Sequence, residues 1–209
     1  MRRRDFVKGA ATVIPGSVAL QMLGTKWAFA QSADFGDDIE VLNYALTLEY
    51  LEAEFYRQGN EAGLLDGQEA QYLQQVGADE QAHVDGITQT INELGGMPVE
   101  APGVDFGGAF DSRARYLETA FTFENLGVSA YLGAVGFIKQ KAILQAAAGI
   151  FGVEARHAAV IGNLLGKPAE NGVYMGATET PLSKDEVLAA AQPFLTGAAG
   201  MGDDAAVTY

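Results

Sequence analysis

The position of the histidines restricts the fold of this chain more than any other feature of its sequence. There are only two histidines in 209 residues, and each follows a glutamate by three positions, in Glu80-Gln81-Ala82-His83 and Glu154-Ala155-Arg156-His157. Residues i and i+3 of a helix lie on one face, so each motif directs a carboxylate and an imidazole to one point. This is a metal-ligand geometry, and it predicts that both segments are helical.

The chain also repeats itself around two further glutamates. Residues 42–51 align with residues 117–126, and this alignment pairs Glu49 with Glu124. The spacing from Glu49 to the glutamate of the first motif is nearly the same as the spacing from Glu124 to that of the second. A helical hairpin with arms of about 15 residues returns its two glutamates to nearly the same height. Two such hairpins, packed face to face, would bring four carboxylates and two imidazoles together.

The N-terminal segment, residues 1–30, is predicted to be an export signal outside the fold. The segment Arg3-Arg4-Asp5-Phe6-Val7-Lys8 has the twin-arginine form, an apolar stretch follows, and Ala28-Phe29-Ala30 is a small-residue cleavage site, so the mature chain is expected to begin at Gln31. A membrane anchor is the alternative, but the apolar stretch from Gly9 to Thr25 is shorter than a bilayer span usually needs. We therefore expect no stable membrane insertion after cleavage, and a final location in the periplasm or outside the cell.

Composition excludes several classes of function. The chain has no cysteine, which rules out disulfides, thiolate zinc sites, iron–sulfur clusters and cysteine nucleophiles. Its formal net charge is −14, and loss of the mostly basic leader would make it more acidic, so nucleic acid is not an expected partner. Hydrophobic residues make up 48% of the chain, enough for one domain with a substantial core.

Helical periodicity and punctuation predict an all-α protein, because alternating strand patterns are absent. The first predicted helix runs from about Asp37 to Gln58, with Gly59 as its stop, and the second from near Asp66 to Leu94-Gly95-Gly96. The third runs from Asp111 to about Lys141, and the fourth continues to Leu165-Gly166-Lys167-Pro168. The turn between the third and fourth helices is predicted in residues 139–149.

The linker of residues 97–111 decides the predicted topology, because an extended linker of this length can span a whole helical bundle whereas short loops make neighbours antiparallel. The prediction is a four-helix bundle over residues 31–167, built from two antiparallel hairpins joined by a long crossover. Residues 168–209 form a C-terminal extension with one short helix, opened by a capping box at Ser183 and Glu186.

The proposed ligands lie on the apolar stripes of the four long helices, so their carboxylates are expected to point inward. Four buried glutamates without a counter-charge would repel one another and lose hydration, and two divalent cations would cancel their charge. Carboxylate and imidazole ligands suit iron, manganese or zinc. The predicted metal ligands are Glu49, Glu80, His83, Glu124, Glu154 and His157.

One Glu on each of two helices and Glu-x-x-His on the other two resembles the ferritin-like dinuclear carboxylate proteins over roughly residues 37–166. The resemblance implies that Glu80 and Glu154 bridge two metal ions. It also implies that Glu49 with His83 and Glu124 with His157 each complete one metal. With the export signal, the whole chain looks most like exported ferritin-like proteins sometimes labelled desiccation-related.

The sequence departs from true ferritins in having a histidine on the fourth helix, and from rubrerythrins in lacking cysteines for an electron-transfer domain. The expected function is an exported dinuclear iron or manganese oxidoreductase that acts on O2 or H2O2, as a ferroxidase, a peroxidase or a catalase-like enzyme. A non-catalytic metal-binding or structural envelope protein is the main alternative, and a metal-free protein-contact bundle is a third. Ferrous iron or a small oxidant is the expected partner, and homo-oligomerisation is left open.

Two assignments at the site have alternatives. Tyr56 and Tyr131 stand seven residues after Glu49 and Glu124, and are candidates for catalytic redox groups, for core residues, or for hydrogen-bond donors to a ligand carboxylate. Glu52 could replace Glu49 as the ligand on the first helix, but in the repeat it aligns with a glycine.

Overall fold

The protein is described by a computed structural model over residues 35–196. The predicted export signal and residues 197–209 of the predicted C-terminal extension lie outside the described residues. Within 35–196, none of the helices combines the length and apolar character needed to cross a membrane.

The described chain is an all-α bundle, as the sequence predicts. Its helices are α1 (Asp38–Glu61), α2 (Gly67–Glu93), α3 (Arg113–Ala134), α4 (Lys141–Leu164) and the short α5 (Lys184–Ala191). Three 3-10 turns, Gly107–Phe110, Val135–Phe137 and Gln192–Phe194, and two strands of two residues each, β1 (Gly103–Val104) and β2 (Leu195–Thr196), complete the elements.

The bundle consists of two antiparallel hairpins, because α1 packs mainly on α2 and α3 mainly on α4. The long connection between the hairpins carries β1, which pairs antiparallel with β2 and so joins the crossover to the end of the described chain. The sequence shows no sign of this ladder, since it depends on backbone pairing between segments that are far apart along the chain.

The predicted end of the first helix was wrong. Gly59 lies inside α1, where a β-carbon would come within 2.2 Å of the Tyr116 ring, so glycine here permits close packing of α1 against α3. The helix ends at Glu61, and Gly63 takes the left-handed conformation, with a φ of 64°, that favours glycine after a helix.

The predicted junction between the third and fourth helices was also misplaced. α3 ends at Ala134 and α4 begins at Lys141, earlier than the sequence suggests. The buried Asp38 of α1 accepts hydrogen bonds from the backbone N–H groups of Lys139 and Gln140, at 2.7 and 3.1 Å. A carboxylate from another helix thus satisfies free donors at the start of α4, and no local signal reveals it.

The two ends of the bundle are filled differently. One end is packed with aromatic rings, which meet mostly edge to face at centroid distances of about 5 to 6 Å: Phe55, Tyr56, Phe106, Phe110, Tyr116, Phe123 and Phe194. The other end has a buried aliphatic cluster, which includes Leu42, Leu46, Val84, Ile87 and Ile143, and the ring of Tyr44 packs on Phe35 beside it. The predicted ligands lie between these two ends.

Candidate metal centre

All six predicted ligands converge at the middle of the bundle. Each of the four long helices contributes from its inward face, and all six side chains except His83 are classed as buried: Glu49, Glu80, Glu124, Glu154 and His157. The side chain of His83 is 11% exposed. Their donor atoms form two groups, and within each group the atoms lie no more than 4.8 Å apart.

The first group contains Glu49, Glu80, His83 and Glu154. The Nδ1 atom of His83 lies 2.9 Å from Glu80 Oε2, 3.2 Å from Glu49 Oε2 and 3.4 Å from Glu154 Oε1. Three carboxylates from three helices therefore surround one imidazole nitrogen.

The second group contains Glu80, Glu124, Glu154 and His157. The Nδ1 atom of His157 lies 2.9 Å from Glu80 Oε1 and 3.2 Å from Glu124 Oε2. Glu80 thus presents one oxygen to each histidine, and both Glu80 and Glu154 belong to both groups.

Several buried polar atoms of this cluster lack a hydrogen-bond partner, as is expected of atoms that bind a metal ion. Within residues 35–196, buried atoms without a hydrogen-bond partner include Glu80 Oε1, Glu124 Oε2, both oxygens of Glu154 and His157 Nδ1. Several of these atoms are close together, so it is their angles that do not suit hydrogen bonds. Buried polar groups are nearly always satisfied, and a shared cation would satisfy these at once. The residues therefore fit a metal-binding role.

The sequence profile of the ferritin-like domain family matches residues 37–167, which include all four long helices and all six residues. The chain belongs to the ferritin-like domain family. No curated protein matches the chain significantly. In this ferritin-like domain the carboxylate and imidazole cluster lies where its four long helices meet.

The two candidate tyrosines make a crossed pair of hydrogen bonds in the ferritin-like domain. Tyr56 on α1 donates to Glu124 Oε1 on α3, and Tyr131 on α3 donates to Glu49 Oε1 on α1. The pairing shows that α1 and α3 run antiparallel. Each hydroxyl holds one oxygen of a carboxylate whose other oxygen faces a histidine, which is the hydrogen-bonding role considered from the sequence.

Burial and mutual contacts shift the proton affinities of the cluster. Burial raises the pKa of Glu49 to about 7, although its hydrogen bond to His83 opposes the change. Burial would raise the pKa of Glu80, but its close contacts with His157 and His83 outweigh it and lower that pKa to about 2. Burial, followed by the charge of Glu80, raises the pKa of Glu154 well above its usual range.

Both imidazoles have raised proton affinity in the absence of a cation. Burial would lower the pKa of His83, but hydrogen bonds to Glu49 and Glu80 raise it to about 10. Burial would also lower the pKa of His157, but its close contacts with Glu124 and Glu80 raise it to about 10. Protons therefore take the place of metal charge in the metal-free cluster, and a binding metal ion must displace them.

Glu52 is a fifth buried carboxylate that the sequence offered only as a replacement for Glu49. It is 4% exposed, and the structure shows no hydrogen bond to its carboxylate within residues 35–196. A β-carbon added at Gly127 would lie 2.7 Å from Glu154 Oε2 and 3.4 Å from Glu52 Oε1. Gly127 therefore leaves room for both carboxylates, and the repeat alignment of Glu52 with Gly127 was a usable signal for this packing.

Asp79 is a second residue at the site that the sequence analysis did not identify. Its Oδ2 atom lies 3.2 Å from Nε2 of His157 on the opposite hairpin. A carboxylate on the outer nitrogen of a histidine fixes its tautomer and leaves Nδ1 free for a metal. The neighbouring polar residues Asp85 and Arg156 instead pair within their own helices, Asp85 with Gln81 and Arg156 with the backbone oxygen of Gly152.

Proposed function

We propose that this protein is a dinuclear metal oxidoreductase that acts on O2 or H2O2, with iron or manganese as the metal and zinc as the less suitable ion. The observation that carries the proposal is the position of Glu80, whose two oxygens each lie 2.9 Å from the Nδ1 atom of a different histidine. A carboxylate in this position is suited to bridge two cations, and Glu154 belongs to both groups as well. Ferroxidase, peroxidase and catalase-like activities all fit this arrangement.

Two adjacent redox-active metal ions supply the exchange of two electrons with an O–O bond. The four glutamates would hold two such ions, because their four negative charges would balance the charge of two divalent cations. His83 and His157 complete one half of the site each, and Asp79 orients the second imidazole from outside.

Tyr56 and Tyr131 act in this proposal by positioning carboxylates. Burial and the charge of the adjacent glutamate raise the pKa of each hydroxyl well above its usual range, so both keep their protons at neutral pH. Each tyrosine can then donate to its glutamate throughout turnover, which limits how far Glu124 and Glu49 can rotate.

The proposal includes export through the twin-arginine route to the periplasm or the extracellular space. Its support is the sequence of residues 1–30, with paired Arg3 and Arg4 and a small-residue cleavage site. That route carries folded proteins, so the metal would be bound before export. A role in stress protection is part of the proposal, as the resemblance of the sequence to exported desiccation-related proteins implies.

A non-catalytic metal-binding or structural stress-related protein is the second candidate. The five buried atoms of the cluster that lack hydrogen bonds favour it, because a bound cation would stabilise the bundle whether or not it turned over. The two candidates differ in what the loaded protein does with an oxidant.

Reconstitution separates the two candidates. Metal-free protein is loaded with Fe2+ or Mn2+ without oxygen, its metal content is measured, and it is then mixed with O2 or H2O2 while consumption of the oxidant is followed. The oxidoreductase proposal expects repeated turnover that is lost in Glu80→Ala and retained in Glu93→Ala, a change at an exposed position of the same helix. Full metal loading with no consumption of either oxidant would contradict it and leave the structural role.

A further inference from the structure

A cavity of about 290 Å³ lies in the aliphatic end of the bundle, directly beside the candidate metal centre. All four long helices line it. Its inner wall includes His83 and Tyr131, and the rest is almost wholly apolar, with many small side chains: Ala45, Ala82, Gly86, Ala130, Ala134, Ala146 and Ala147. Ala82, Gly86 and Ala146 are exposed, so the cavity opens to solvent between α2 and α4.

The polar groups at the cavity wall are mostly engaged elsewhere. The Thr90 hydroxyl donates to the backbone oxygen of Gly86 at 2.8 Å, and the Tyr131 hydroxyl donates to Glu49. His83 uses Nδ1 toward the carboxylates, and the structure shows no hydrogen bond to its Nε2 atom in the described chain. The wall therefore offers dispersion contacts and very little for a polar ligand to bind.

The size of the cavity exceeds what O2 or H2O2 requires. One water occupies about 30 Å³ in the liquid, and a cavity of about 150 Å³ accepts benzene. By this comparison 290 Å³ holds an apolar molecule of about a dozen heavy atoms. Pockets for organic ligands are commonly apolar and lie between the helices of bundles.

We propose that this cavity binds an apolar organic substrate of about a dozen heavy atoms against the Glu49 and His83 side of the metal centre. The inference rests on the proposed function, because it names the molecule that the centre oxidises. With H2O2 as the oxidant no further reductant is needed. One C–H bond of the substrate and the O–O bond break, one oxygen atom enters the C–H bond to give an alcohol, and the other leaves as water with the two peroxide protons.

Binding can be measured without turnover. Naphthalene, with ten carbon atoms, serves as the probe in equilibrium dialysis against metal-free and metal-loaded protein. We expect saturable binding of one naphthalene per chain in both forms, together with a rise in thermal stability on binding. Absence of saturable binding would overturn the inference, whether or not the protein consumes H2O2.

Two glycines offer a matched pair of variants. A β-carbon at either Gly86 or Gly149 would meet nothing within 4 Å, and both lie in helices, but only Gly86 lines the cavity. We expect Gly86→Phe to weaken naphthalene binding by about tenfold or more, which corresponds to at least about 1.4 kcal/mol, and Gly149→Phe to leave it unchanged. Equal effects of the two variants would overturn the inference.

A second pair guards against a failure of Gly86→Phe to fold. Ala147 lines the cavity and its neighbour Ala148 does not, so Ala147→Phe should weaken binding and Ala148→Phe should not. Circular dichroism and metal content confirm that each variant is folded. If the wild type is instead a dimer that Gly86→Phe converts to a monomer, with no naphthalene bound by either, the opening is a subunit interface and the substrate site is rejected.

If naphthalene binds as expected but the loaded protein consumes neither O2 nor H2O2, the cavity assignment stands and the oxidoreductase proposal fails. If naphthalene binds and H2O2 is consumed but no alcohol forms, the assignment of the bound molecule as the substrate is overturned. If H2O2 is consumed and naphthalene does not bind, the oxidoreductase proposal stands and the cavity assignment fails.

Discussion

The two ends of this bundle are built from the same helices but packed in opposite ways. At one end Phe55, Phe106 and Phe123 fill the space between helices with interlocking rings. At the other end alanine, glycine and aliphatic residues, together with Tyr44 and Tyr131, line a cavity of about 290 Å³. The helices are therefore less closely packed at the cavity end, and this cavity adjoins the candidate metal centre.

The same asymmetry divides the candidate metal centre. His157 faces the closed half, where Asp79 holds its outer nitrogen. His83 faces the cavity, and in the repeat the position equivalent to Asp79 is Val153, which cannot accept a hydrogen bond through its side chain. The half with Glu124 and His157 thus has a carboxylate on its outer imidazole nitrogen, whereas the half with Glu49 and His83 adjoins the cavity.

The largest effect is expected from Glu80→Ala, because Glu80 is the one ligand that faces both histidines. Metal content should fall from about two ions per chain to nearly none, as measured by elemental analysis of protein loaded under identical conditions. Glu154→Ala should reduce it substantially for the same reason, and Glu93→Ala is the control. Unchanged metal content in Glu80→Ala would contradict the bridging assignment.

Truncation of one leucine at each end tests the difference in packing. Leu117 is fully buried in the aromatic end, whereas Leu42 lines the cavity and already lacks neighbours on one side. Leu117→Ala should reduce the free energy of unfolding by about 4 kcal/mol and Leu42→Ala by about 2 kcal/mol, measured by urea titration of metal-free protein. Equal losses would show that the two ends are packed alike.

Asp79→Asn probes the asymmetry of the two half-sites. Loss of the carboxylate on the His157 outer nitrogen should weaken the binding of one metal ion by about 10-fold to 100-fold and leave the other nearly unchanged. A metal titration followed by calorimetry would resolve the two affinities. Asp85→Asn, on the exposed face of α2, is the matched control. Equal weakening of both ions would mean that the half-sites are not distinct.

The metal-free protein should lose stability as the pH rises from weakly acidic values. The folded pKa of Glu49, about 7, exceeds its unfolded value of 4.5, so the native state binds more protons between these values and stability falls with rising pH. His83 and His157 act in the same direction between 6.5 and about 10. Glu80 acts oppositely, and its contribution is lost as the pH falls from 4.5 toward 2.

Urea titrations across this range should therefore place the maximum stability of metal-free protein near pH 5. Metal-loaded protein should shift this maximum upward, because metal binding displaces protons. A metal-free protein whose stability rises steadily from pH 5 to pH 9 would contradict these proton affinities.

The smallest effect is expected from Glu52→Gln. Burial, followed by the charges of Glu80 and Glu124, raises the pKa of Glu52 well above its usual range, so above pH 4.5 ionisation favours the unfolded state. The neutral amide should stabilise metal-free protein at pH 8 by about 1 to 2 kcal/mol and have little effect below pH 4.5. A stabilisation independent of pH would show that charge is not its cause, and Glu93→Gln controls for surface charge.

Much of the fold was predictable because the metal-ligand residues recur at matching positions in the two halves of the sequence. The pairing of Glu49 with Glu124, and the i and i+3 spacing at both histidines, required two equivalent hairpins and one long crossover. The capping box at Ser183 and Glu186 is present as predicted, since both of its partners lie within one turn of the helix start.

The features that sequence reasoning missed all depend on contacts between distant segments. Asp38 caps a helix on the other hairpin, and Asp79 meets a histidine of that same helix. Gly59 resembles a stop signal, but its role is set by the ring of Tyr116. The cavity is the clearest case, because it is the space left between side chains of four different helices, and no single segment of the sequence reveals it.

The most direct test of the dinuclear centre is a crystal structure of metal-loaded protein with anomalous diffraction recorded at the absorption edge of the bound metal. We expect two peaks about 3.5 to 4 Å apart, with Glu80 between them and one histidine Nδ1 about 2 Å from each. A single peak, or peaks away from the Glu49, His83, Glu124 and His157 cluster, would contradict it.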